Sequence, residues 1–147
     1  MTFVPHTEAD YEIANSYLSV VDADDIIAKQ INSASWVTLS TPFKQMLLIQ
    51  ASLAVDGALQ YQYDKTSDAQ VLKFPRNTLL TLPKNIIFAT AITAMKYSND
   101  DIFKGVSREK IAKHETEYFE DKGIADDVLV FLKPLQLRTI KLSISNE

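Results

Sequence analysis

Three kinds of residue in this chain could do chemistry: histidines, clustered carboxylates, and aromatic rings interleaved with bases. The two histidines, His6 and His114, lie far apart in sequence. Neither has a second ligand at helical spacing, so the pattern that builds a zinc centre is missing. Asp22, Asp24 and Asp25 cluster, as do Asp126 and Asp127. Each cluster falls in the expected first turn of a helix, where negative charge complements the helix dipole. A chelating loop would normally also show a glycine turn or a distant bidentate Glu. The chain has three glycines in all, which argues against a phosphate-cradling loop. No serine or threonine sits in a nucleophile elbow. No catalytic constellation emerges, and we expect no enzyme, no metal and no cofactor.

The third kind is more informative. Tyr61, Tyr63 and Phe74 lie near Lys65, Lys73 and Arg76, the one place where aromatic and basic residues interleave. Exposed, such rings would stack bases. Buried, they would be core, with the bases reaching to solvent over them. Contact with an acidic surface of a partner protein is a further use. The cluster runs into "QVLKFPRNTLLTLPKNI", residues 70–86, which holds two of the five prolines. Phe74 and Leu82 each precede a proline and are pushed toward extended backbone. Leu72, Phe74, Leu79, Leu80 and Leu82 would not all face water, so this connection must lie against something.

The elements around it read as helical. In residues 19–32, Ser19 and Asp22 have capping-box spacing, and Ala23, Ile26, Ile27 and Ile31 form an apolar stripe. Trp36 and Leu39 are expected to close the bottom of the core. Residues 41–63 form the strongest helical segment, with Thr41 as N-cap and Pro42 in the first turn. Its apolar residues, from Phe43 to Leu59, cover more than one face. It is therefore the central helix, or its second face meets another subunit. Gly57 is read as permitting a close helix crossing. Residues 83–97 form a third helix whose Ala89, Ala91, Thr93 and Ala94 let a neighbour approach closely. Residues 124–135 form a short fourth helix stopped by Pro134. Residues 106–122 read as extended or strand-like, with a short β element near 110–120. The tail alternates, with Arg138, Ile140, Leu142 and Ile144 on one side. It reads as a strand that wants a partner.

The fold class is thus mainly α: a small bundle of about four helices with extended arms. Residues 1–17 are an N-terminal arm, 18–134 the helical domain, and 135–147 an extended tail. A chain of 147 residues with 46% hydrophobic and 23% charged residues can bury a core without staples. It has no cysteine, which excludes a disulfide framework. The acidic start lacks a signal-peptide pattern, and no apolar run reaches the ~20 residues a bilayer requires. We expect a soluble protein from a reducing compartment, with no membrane partner. Net charge is −4, unevenly spread. Residues 1–36 hold one base and six acids, 37–100 six bases and four acids, and 101–147 eight bases and nine acids. An acidic chain is a poor starting point for binding phosphates non-specifically.

The order of motifs resembles a known group. "SYLSVVDADDII", a Trp, an Ala-rich helix from "FKQMLLIQAS", then "QVLKFPR", a "LPKNI" turn and another Ala-rich helix are similar to phage head-to-tail connector (adaptor) proteins. That group is also filed under a DnaT-like single-stranded-DNA-binding name. The matching motifs are Ser16–Leu18, Phe74–Arg76 and Leu82–Pro83, within residues 16–97. Residues 106–119 and 124–135 match more weakly. The chain departs from the pattern at Phe74, where Trp is commoner, and in having no glycine after the third helix until Gly105. The resemblance implies a structural virion protein at the head-tail junction, assembled in the host cytoplasm. It would form a homo-oligomeric ring, expected to be twelvefold, beneath the portal protein. A tail or nozzle protein would sit on its other side, and genomic DNA would pass through the lumen without specific binding. Interface candidates are then Phe74, Pro75, Arg76, Leu79 and Leu80 in the connection, and Arg138, Ile140, Leu142 and Ile144 in the tail. The alternative is a replication accessory protein that binds single-stranded DNA.

Overall fold

Ser19 starts the first helix by turning its hydroxyl back on the chain. Its Oγ accepts the Asp22 backbone N–H at 3.1 Å, which satisfies one of the donors a helix leaves free at its start. The computed structural model describes residues 2–99 and 124–137. Helix α1 (Val20–Ile27) buries Ala23 and Ile27. It ends a turn earlier than the sequence pattern suggested. Lys29 and Gln30 donate to carbonyls three residues back, and Ile31 is 99% exposed. The stripe stops at Ile27 because the helical period that would carry it to residue 31 stops there.

A single turn, α2 (Ala34–Val37), then turns Trp36 inward. The indole Nε1 donates to Asp24 Oδ1 at 2.8 Å, and Lys44 Nζ lies 3.0 Å from the same oxygen. Helix α3 (Thr41–Ala58) begins one residue past Ser40, which holds the N-cap position, with Pro42 in the first turn. Proline is tolerated there because its missing N–H would be unpaired anyway. Leu47, Leu48, Ala51 and Val55 point into the core, while Leu53 stays 48% exposed. Gly57 corrects an expectation: a Cβ there would meet nothing within 4 Å, so it marks no close crossing.

Helix α4 (Lys84–Ser98) follows Pro83, and it is the hub. It packs against α1, α2, α3 and the last helix, α5 (Asp126–Leu132). Centrality therefore belongs to α4 and not to α3. Ala89, Ala91 and Ala94 are fully buried, which lets four neighbours approach one helix. Val128 and Leu132 seat α5, and the Phe131 ring meets Phe88 edge-on at 4.8 Å. A 3₁₀ turn at Lys133–Leu135, containing Pro134, ends it.

The N-terminal segment is only partly extended: residues 8–13 form turns that bring residues 4–6 back against 15 and 16. His6 N–H donates to Ser16 O at 2.8 Å, and Val4 N–H to Asn15 Oδ1 at 2.8 Å. Tyr17 and Leu18 then enter the core. The architecture is mainly helical, with isolated bridges and no sheet among the described residues. The strand-like reading of 106–122 and the tail residues Arg138, Ile140, Leu142 and Ile144 lie outside the described residues. No helix among the described residues is long and apolar enough to cross a membrane.

Candidate interaction site at the 59–83 connection

The last turns of α3 carry Asp56 to the inside of the fold, where it is 8% exposed. Both its oxygens are used. Tyr17 Oη donates to Oδ1. The Lys73 backbone N–H donates to Oδ2 at 3.1 Å. The Phe74 N–H in turn donates to Tyr17 Oη at 3.1 Å. One carboxylate thus ties the N-terminal segment, α3 and the connection together. Burial pushes the Asp56 pKa up to about 6, against the opposing pull of Tyr17, the Lys73 N–H and the charges of Lys73 and Arg76. Burial, and then the Asp56 charge, push Tyr17 well above its ordinary value, so it stays a donor. Burial also raises Tyr61.

Around this tie the connection builds a small core of its own. Phe74 meets Tyr61 edge-on at 4.8 Å and Tyr17 at 6.2 Å. Edge-to-face pairs of this kind add about 0.5–1.5 kcal/mol beyond burial. Tyr61 Oη donates to Val55 O. Buried Gln70 donates to the carbonyls of Leu72 and Pro75 at 2.9 and 3.0 Å, and its Oε1 accepts the Ser67 N–H at 2.9 Å. The Phe74–Pro75 peptide is cis. Arg76 spends its guanidinium on its own chain. It donates to Gln62 O at 2.8 Å, to Lys73 O at 3.1 Å and to Tyr63 O, and it lies 5.8 Å from the Phe74 ring centre. Backbone bonds from Thr66 N to Pro75 O and from Asn77 N to Asp64 O close the structure.

The expected site residues therefore divide. Phe74 and Pro75 are buried core residues of the chain. The rings of Tyr17 and Tyr61 pack against Phe74 and leave it little exposed. Arg76 clamps the connection internally. Leu79 and Leu80 are the two that face outward, at 53% and 38% exposed. The turn that projects them has Asn77 and Thr78 at positive φ, 58° and 61°. Asn tolerates that region, whereas a β-branched Thr is strained in it. The structure does bring Tyr61, Tyr63, Phe74, Lys65, Lys73 and Arg76 together. Of the three rings only Tyr63 is exposed, at 62%. Tyr61 and Phe74 have no face free to stack on a base.

Two polar centres escaped the sequence reading. Asp56 was hidden inside an apolar helix, although an acid one turn after Ser52 on the buried side was a usable signal. Asp24 was assigned to the helix dipole, yet it holds Trp36 and Lys44. The second carboxylate pair does begin a helix, with Asp127 3.1 Å from Lys96. His6 lines a groove of about 550 Å³ with Glu8, Asp22 and Asp25. Burial lowers its pKa, and its Nε2 is buried without a partner. His114 lies outside the described residues. Among the described residues, no three His, Asp or Glu side chains gather as a metal site.

Residues 1–135 match the family described as "Putative DnaT-like ssDNA binding protein". The chain belongs to this family. The match extends the resemblance noted from the motifs at 16–97 through the whole described helical core, up to the turn that ends α5. It carries the DnaT-like name of that group and says nothing of a connector. No curated protein and no solved structure matches the chain.

Proposed function

We propose that this DnaT-like chain is a structural, non-enzymatic subunit of a homo-oligomeric ring, of the kind that joins a phage portal to its tail. The observation that carries this reading is how the connection is used. Tyr61, Phe74, Gln70 and Arg76 are consumed in holding its shape, and what they hold outward is Leu79 and Leu80. A loop held this rigidly with apolar tips is suited to protein contact, since pre-ordered anchors lose little freedom on docking. Val71 and Leu53 add exposed apolar surface. Ring packing is heterologous, one patch meeting a different patch on the neighbour. The motif resemblance supplies the portal, tail or nozzle partners, the expected twelvefold copy number and the virion location. Electron microscopy of a portal mixed with this protein tests it. The expected result is an added ring, and a protein that stays monomeric and never joins the portal overturns the reading.

The second reading is single-stranded-DNA binding, and the family description speaks for it directly. Exposed Tyr63, two residues from Lys65, is the one ring of the cluster able to stack on a base. The burial of Tyr61 and Phe74 and the chain's net charge of −4 speak against it. Titration of a labelled oligonucleotide at low and high salt separates the two. Salt-sensitive binding lost on Tyr63→Ala establishes this second reading, and no binding at low salt ends it.

A further inference from the structure

Beneath the projecting turn lies an apolar groove of about 180 Å³. Tyr63, Phe74, Leu79, Pro83, Pro134 and Leu135 supply its apolar lining. A dry cavity of about 150 Å³ accepts a benzene-sized group, so this groove has room for one large aliphatic side chain. Arg76 at its rim is already occupied by backbone carbonyls, so the groove offers shape and apolar surface and no free cation.

We infer that this groove receives the C-terminal segment 138–147 of a second copy of the chain, through the face that carries Ile140, Leu142 and Ile144. Three observations support this occupant. The sequence of the segment alternates, so an extended conformation would put these three residues on one side. Ten residues at ~3.3 Å each reach about 33 Å, enough to cross to a neighbouring molecule. The course of residues 135–137 also points away from the chain's own groove. Gln136 pairs antiparallel with Tyr61, and Leu137 N–H donates to Gln60 O at 2.6 Å. Up to Leu137 the chain therefore runs toward the end of α3, away from Tyr63 and the groove. The inference rests on the reading of the chain as a self-associating subunit, and it adds which surfaces meet.

The absence of cysteine makes a clean test available. Full-length chains carrying Leu79→Cys are mixed with tagged chains carrying a single cysteine at position 140, 141, 142, 143 or 144, then oxidised mildly. The expected product is a mixed disulfide between copies, strongest at one of 140, 142 and 144 and weak at 141 and 143. Equal yields at all five positions overturn the inference. So does the absence of any mixed disulfide, or a bond that forms only within one chain when both cysteines are placed in it. Leu142→Asp should weaken self-association by about tenfold or more, because it would carry an unpaired charge into an apolar groove. Ultracentrifugation of the unmodified chain, with and without portal, separates the two claims. A portal-bound ring without the predicted cross-links leaves the proposed function standing and removes this inference. A chain that neither self-associates nor joins the portal removes both.

Discussion

At the scale of single residues, Asp56 and Tyr17 are the pair on which the connection hangs. Tyr17→Phe keeps the ring and deletes the hydroxyl. It leaves Asp56 short of one donor and the Phe74 N–H without its acceptor. Unsatisfied buried groups of this kind cost about 1–3 kcal/mol, so the urea midpoint should fall accordingly. The carboxylate also gives the fold a signed pH dependence. The folded-state pKa of about 6 lies above the ordinary 3.8, so the native chain binds this proton more tightly than the unfolded chain. The Asp56 contribution is therefore fully present below about pH 4 and is lost as pH rises through about 6. His6, whose pKa is lowered, works in the opposite sense. Thermal unfolding followed from pH 4 to 7 should show the wild type losing more stability, relative to its acid value, than Asp56→Asn. Parallel curves would refute the assignment.

Among the elements, α3 shows how far local rules reach. Its start was legible to within a residue from Pro42, which is tolerated only in a first turn, although the N-cap is Ser40 and not the expected Thr41. The role of Gly57 was not, because a glycine at a helix crossing and one facing solvent look alike in sequence. Here it faces open space inside a helix. Gly57→Ala should raise stability by about 0.5–1 kcal/mol, by restricting the unfolded chain and favouring the helix. A loss of stability would mean that something does pack there. The central place of α4 follows from its alanines, which sequence identified as small but could not assign to four neighbours at once.

For the whole molecule, the question is what covers its outward apolar groups. Leu79→Asp and Leu80→Asp change exposed positions, so monomer stability should stay within about 0.5 kcal/mol. Ring formation on the portal, scored by microscopy, should be lost. Unchanged ring formation would move the interface elsewhere. Much of the uneven charge stays on the outside, with Glu8, Asp10, Glu12, Asp22 and Asp25 all exposed. That distribution leaves this part of the surface poor in phosphate contacts.

Sequence by itself determined the helical class, the cap at Ser19, the place of Pro42 in the first turn of α3, the stop near Pro134, and the need for the 70–83 stretch to lie against something. These depend on period, dihedral preference and composition, all of which act over a few residues. Only the tertiary structure decided which way each group of that stretch turned. Phe74 went inward because Tyr17, 57 residues earlier, accepts its N–H. Tyr17 was fixed there because Asp56, 39 residues further on, takes its hydroxyl. Contacts over such separations leave no periodic mark in a chain, since what selects them is the closure of the fold around them.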